Sequence, residues 1–123
     1  MEINDLTGEV IGAAIEVHKA LGPGLLESIY EECLCMELDL REIPYEKQQA
    51  VPIEYKGVGL ASAYRLDIVV AKKLIAELKA CQSIEPIHEA QLLTYLKLTS
   101  IEVGLLINFN VPVLKDGIKR LVN

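Results

Sequence analysis

Apolar residues recur at three- and four-residue steps from Ile3 to Ala20, through Leu6, Val10, Ala13/Ala14 and Val17, then Leu21. That spacing predicts an amphipathic helix. Leu21-Gly22-Pro23-Gly24 stops it, since proline disfavours a helical residue before it and glycine tolerates unusual backbone angles. A second helix is expected from about Leu25 to Leu40, with Leu26, Ile29/Tyr30, Cys33/Leu34 and Leu38 inward, closed by Arg41-Glu42-Ile43-Pro44. The pattern then changes. Val51, Ile53 and Tyr55 alternate with polar or proline positions, and Pro52 suggests an edge strand. After the turn Lys56-Gly57-Val58-Gly59, Leu60 to Val70 reads as a strand with Tyr64, Leu66, Ile68 and Val70 on one face and Arg65, Asp67 and Val69 on the other.

Ala71-Lys72-Lys73 is a short polar bend into another strand, Leu74 to Ala80. A third helix is expected from about Ile87 to Leu98. Val103 to Phe109 shows no alternation, as expected of a strand buried on both faces, and the tail containing Pro112 and Gly117 ends in a short helical turn. The order α-α-β-β-β-α-β predicts one domain over residues 1–123, of α/β (α+β) class, with a mixed sheet flanked by helices.

The strand "LIAELKA" poses a chemical question. Glu77 and Lys79 are two apart, so an extended chain projects both from one face of an otherwise apolar segment. Burying a charge costs several kcal/mol unless it is paired or ligates a metal. If the preceding bend has three residues, Val70 pairs with Leu74, Asp67 stands opposite Glu77, and Arg65 opposite Lys79. A two-residue bend sends Asp67 to the other face. Directly opposed carboxylates repel each other, and a divalent cation between them turns repulsion into binding. Mg²⁺ typically takes one or two carboxylates plus water and phosphate oxygens. An ammonium alongside can stabilise phosphate charge or orient an attacking water, an arrangement suited to phosphodiester hydrolysis. The plain alternative is a cross-strand ion-pair network of Asp67, Glu77, Arg65 and Lys79.

Composition narrows the surroundings of that site. Half the chain is apolar, far above what disordered segments show. No apolar run approaches the roughly 20 residues that span a bilayer, and MEINDLTGEV lacks the basic start and apolar stretch of a signal peptide, so a soluble, cytoplasmic protein is expected. Three cysteines, with Cys33 and Cys35 on different helix sides, read as free thiols. The net charge of −6 argues against a general nucleic-acid coat protein. Residues 1–54 carry twelve acids and three bases, whereas 55–123 carry six acids and nine bases, so the basic bias falls in the half that holds Lys79.

"LGPGLLESIYEECL" contains Gly24-x-x-Glu27-x-x-Tyr30. With "AAIEVHKALGPG" before it, and "HEAQLLTYLKL" and "GLLINFNVPVLKDGIKR" after, nearly the whole chain resembles the GxxExxY protein family. That family is placed in the PD-(D/E)xK nuclease-like superfamily. The resemblance implies a restriction-endonuclease-like α-β-β-β-α-β core, here with an extra N-terminal helix, and Mg²⁺- or Mn²⁺-dependent phosphodiester chemistry on DNA or RNA. Asp67, Glu77 and Lys79 fall on the superfamily's Asp…Glu-x-Lys pattern, although Leu66 stands where its name has proline.

The resemblance also implies supporting residues, each with a plainer reading. Glu27 would join the metal ligands, or it complements the helix dipole; Tyr30 would support the site, or it is core. Gln91 and Tyr95, four apart on helix three, match a Gln-x-x-x-Tyr that helps hold site and substrate backbone in some branches, or they are a polar stripe. His18 and Arg65 are further candidates, with helix packing and charge balance as their bland roles, while His88 reads as a capping or packing residue. The leading expectation is a metal-dependent nuclease with nucleic acid as partner and possible homodimerisation through an edge strand. The alternatives are a catalytically silent nuclease-fold binding module, or a hydrolase of small phosphorylated molecules, which needs a closed pocket.

Overall fold

The computed structural model describes residues 1–60 and 64–123. Its elements, in chain order, are α1 (Ile3–Leu21), α2 (Glu27–Leu40), β1 (Tyr45–Val51), β2 (Glu54–Tyr55), β3 (Val58–Gly59), β4 (Tyr64–Val70), β5 (Leu74–Lys79), α3 (Pro86–Thr99), β6 (Val103–Asn108) and β7 (Ile118–Val122), with a 3-10 turn at Leu114–Gly117. Five strands form one mixed sheet in the order β1-β4-β5-β6-β7, and β2 and β3 make a separate hairpin. β5 and β6 are parallel, joined through α3; the other neighbours in the large sheet are antiparallel.

Each sheet face has its own core. Leu6, Val10, Ala13, Ala14 and Val17 of α1, with Tyr30, Leu34 and Leu38 of α2, pack onto Ile68, Val70, Leu74, Ala76, Leu78, Val103, Leu105 and Ile107. Leu92, Tyr95 and Leu96 of α3 cover Val51, Leu66, Val69, Ile75 and Leu106 on the opposite face. All six β6 residues are buried, as the unbroken apolar run predicts. Gly104 lets α3 sit this close: a Cβ there would lie 2.9 Å from Leu92. Pro86 opens α3, and Glu85 N–H donates to His88 Nδ1 (3.0 Å), so His88 does cap the helix.

The fold class stands as expected, with specific corrections. The helix after Gly-Pro-Gly starts at Glu27 rather than Leu25. The edge strand is Tyr45–Val51, and Pro52 lies just past its end instead of within it. Leu60 lies outside β4, and residues 61–63 of the expected Leu60–Val70 strand lie outside the described residues. The tail holds its 3-10 turn but continues into an edge strand, β7, in which the consecutive Lys119 and Arg120 are both exposed. Tyr64 and Leu66 face α3, whereas Ile68 and Val70 face α1 and α2, so the single apolar face expected for β4 is split. Gln48, in the partner strand β1, has φ 53°, and a left-handed residue disturbs the regular alternation of a strand.

Candidate functional site

The bend between β4 and β5 has three residues, with Ala71 and Lys72 left-handed and Val70 paired with Leu74. Counting outward brings Asp67 level with Glu77. The backbone ladder stops one pair earlier, at Ile68↔Ala76. Beyond it, side chains replace main-chain acceptors: the Asp67 N–H donates to Glu77 Oε1 (3.2 Å) and the Leu78 N–H donates to Asp67 Oδ2 (2.8 Å). The strands part here like a fork, with one carboxylate from each prong in the opening. β4 and β5 have separated before Arg65 and Lys79 come level, and Arg65 Nη1 donates instead to the Gln48 carbonyl (3.0 Å).

Glu77 is 7% exposed. Burial first, then the charge of Asp67 and a hydrogen bond to its carboxyl, raise the Glu77 pKa above its ordinary 4.5; the Asp67 amide and the Lys79 ammonium oppose this. Among the described residues, no ion pair within 4 Å ties Asp67 or Glu77 to Arg65 or Lys79. The cross-strand ion-pair network is therefore not what the fork contains. The Tyr95 hydroxyl is pushed up to about 12, by burial and then by Glu77, Tyr64 and Asp67, which places α3's tyrosine within the field of the carboxylates. Gln91 lies one turn before Tyr95 on the same helix, half-buried.

Glu27 is the first residue of α2 and is solvent-exposed. Its pKa is nonetheless raised, by partial desolvation and then by Asp67, while Lys79 and the Ala80 amide pull it down. Glu27 stands beside the Asp67–Glu77 pair without closing on it: among the described residues, no three His, Cys, Asp or Glu side chains converge to hold a metal ion. A cleft of about 220 Å³ lies at this end of the sheet, lined by Glu27, Ser28, Glu31, Gln48, Asp67 and Leu78.

Tyr30 explains how Glu27 is presented. Its hydroxyl donates to the Gly22 carbonyl (2.6 Å) and accepts from the Leu25 N–H (3.1 Å), so the Gly-Pro-Gly loop wraps around one phenol. The ring stacks on Phe109 at 4.3 Å, and the Phe109 N–H donates to the Lys79 carbonyl (2.9 Å). Tyr30 is thus a core lock joining the start of α2 to the end of β5. His18 belongs to the same lock: it is buried, with Nε2 2.8 Å from the Val111 carbonyl and its ring centroid 6.4 Å from that of Phe109.

Three residues at the site escape the sequence reading. Asn108, 2% exposed, accepts from the Cys81 and Asn110 amides and donates to the Cys81 carbonyl, pinning the chain just past Lys79. Its signal is a lone polar residue ending a buried apolar run. Gln48 and Glu31 meet over the cleft, with Gln48 Nε2 donating to Glu31 Oε1 at 2.7 Å. An exposed glutamine and an acid on a helix surface carry no mark of this in the sequence.

The donor chemistry fits a hard divalent cation. Two adjacent carboxylates each receive one backbone N–H, leaving further oxygen lone pairs available, and carboxylate oxygens are what Mg²⁺ and Mn²⁺ prefer. The same cleft, bearing Glu27, Glu31 and Asp67, repels a phosphate unless a cation intervenes.

A mixed sheet between helices, with Asp67 and Glu-x-Lys on forked neighbouring strands, defines a restriction-endonuclease-like α+β protein. Comparison with protein families agrees: residues 4–121 match the PD-(D/E)XK nuclease superfamily, and the chain belongs to it. No curated protein and no solved structure matches the chain. Leu66, the residue before Asp67, is fully buried against the α3 side of the core.

Proposed function

We propose that this protein is a divalent-cation-dependent nuclease that hydrolyses phosphodiester bonds of DNA or RNA. The observation that carries the reading is the β4–β5 fork, where Asp67 and Glu77 converge across the break in the ladder. Asp67 and Glu77 would hold Mg²⁺ or Mn²⁺, and Glu27, which lines the same cleft as Asp67, would add its carboxylate to theirs. Such a cation supplies a lowered water pKa and stabilisation of the leaving oxygen. Lys79, one strand step beyond Glu77, would set its ammonium against the phosphate and help orient the attacking water. Gln91 would support the carboxylates and the substrate backbone from α3. Tyr95 would limit the space above Glu77.

The test is hydrolysis of single- and double-stranded DNA and RNA with Mg²⁺ or Mn²⁺, beside Lys79→Ala. Loss of about 10²–10⁴-fold in rate supports the assignment, and full activity in the variant contradicts it. A second reading, a catalytically silent nuclease-fold module that binds protein or nucleic acid, draws on Glu27 standing outside the carboxylate pair. Calorimetry separates the two: heat of Mg²⁺ or Mn²⁺ binding at millimolar concentration favours the nuclease, and its absence favours the module. Hydrolysis of small phosphorylated molecules is disfavoured, because the residues around Asp67 line an open cleft rather than a closed pocket.

A further inference from the structure

Gln48 occupies the middle of β1 with φ 53°, a conformation that residues bearing a Cβ adopt only under constraint. The register brackets it. Lys47 pairs with Ile68 and Gln49 with Leu66, so Gln48 and Asp67 lie across from each other between those pairs. On the other side of Asp67, the β4–β5 ladder has ended at Ile68↔Ala76.

Both strands exchange faces at this one position. Tyr45 and Val51 are six residues apart and should share a face, yet Tyr45 packs against the α1/α2 core and Val51 lies in the α3 core. In β4, Ile68 and Leu66 are two apart and divide in the same way. Alternation continued from Val70 and Ile68 would put Asp67 beside Val69, under α3. Instead Asp67 lines the cleft on the α2 side, together with Glu27, Glu31 and Gln48. Two contacts restrain the turn: Gln48 Nε2 donates to Glu31 Oε1 (2.7 Å), and the Gln48 carbonyl accepts from Arg65 Nη1 (3.0 Å).

We infer that the left-handed backbone at Gln48, restrained by Glu31 and Arg65, turns Asp67 from the sheet into the cleft, making Gln48 a positioning residue for the carboxylate pair. The inference rests on the reading of Asp67 and Glu77 as cation-holding groups. Arg65 and Glu31 thereby acquire a role that touches neither cation nor substrate. Glycine adopts this backbone freely, whereas a β-branched residue opposes it.

The experiment is Mn²⁺ titration of the full chain near neutral pH, followed by electron paramagnetic resonance, with thermal melts as a folding control. Gln48→Gly keeps Mn²⁺ affinity within about threefold, while Gln48→Val loses about 10–100-fold, the range for residues that orient metal ligands. If Gln48→Val does not fold, Glu31→Ala with Arg65→Ala takes its place, since it removes both restraints and leaves β1 unchanged. Glu31→Gln, which keeps the acceptor but not the charge, is its control. Loss in the double variant beyond that of the control supports the inference. Wild-type affinity in a folded Gln48→Val, or equal losses in the glycine and valine variants, overturns the inference and leaves the site reading intact. Absence of Mn²⁺ binding to the wild-type chain overturns both.

Discussion

Glu77→Gln should stabilise the cation-free protein at neutral pH. Glu77 is 7% exposed and shares the fork with Asp67, so its ionised form is penalised by desolvation and by a like charge. Its pKa in the folded chain lies above the 4.5 expected when unfolded. A group raised in this way contributes its full stability below the unfolded pKa, and that contribution is lost as pH rises towards the folded value. The slope is about 1.4 kcal/mol per pH unit for a single group, so roughly 2–3 kcal/mol disappears between about pH 5 and 7. Glutamine carries no such penalty, and its side-chain oxygen still accepts from the Asp67 N–H. The variant should therefore be the more stable protein at pH 7 by roughly 1–3 kcal/mol, with a flatter pH profile. The assay is urea denaturation followed by far-UV circular dichroism, since the chain has no tryptophan. Adding Mg²⁺ should then stabilise the wild type, by about 2.7 kcal/mol at a hundredfold excess over Kd, and leave the variant nearly unchanged. Wild-type stability that stays flat or rises from pH 5 to 7, with Glu77→Gln the weaker protein, refutes the reasoning.

Other substitutions test separate parts of the account. Tyr30→Phe removes a donor to Gly22 and an acceptor for Leu25, and should cost about 1–3 kcal/mol in urea denaturation. Asn108→Ala removes the side-chain acceptor of the Cys81 amide and the shorter of two side-chain bonds to the Cys81 carbonyl, and should cost about as much, with a loss of Mn²⁺-dependent hydrolysis exceeding the loss of fold. Gly104→Ala forces a Cβ against Leu92 and should lower stability by about 1–3 kcal/mol without altering Mn²⁺ affinity. His18→Ala should lower the melting temperature while leaving the hydrolysis rate of the folded fraction unchanged, because His18 bonds to Val111 and not to the carboxylates.

What could be read from the chain follows its burial. α1 shows its period because one face is buried and the other is not, and β6 shows an unbroken run because both of its faces are covered. The apolar Val70 and Leu74 bracket a three-residue polar bend, which sets Asp67 level with Glu77 once that loop length is assumed. β1 and β7 are the free edges of the sheet, where YEKQQAV and IKRLV are largely exposed and carry charge, so their patterns resemble loop. The conformation of Gln48 leaves no mark in the sequence for a different reason. Glycine at a left-handed position is recognisable in a sequence, but glutamine there is held by tertiary contacts with Glu31 and Arg65. Tyr30 suits either core or site by its place in the sequence; in the fold it is buried, and its two bonds to the Gly-Pro-Gly loop fix where Glu27 begins α2.

The carboxylate pair is tested most directly by a crystal soaked in Mn²⁺ and inspected by anomalous scattering. A peak about 2.0–2.2 Å from an oxygen of Asp67 and an oxygen of Glu77 is the result predicted. Ordered, hydrogen-bonded carboxylates with no peak between them at saturating Mn²⁺ would contradict it.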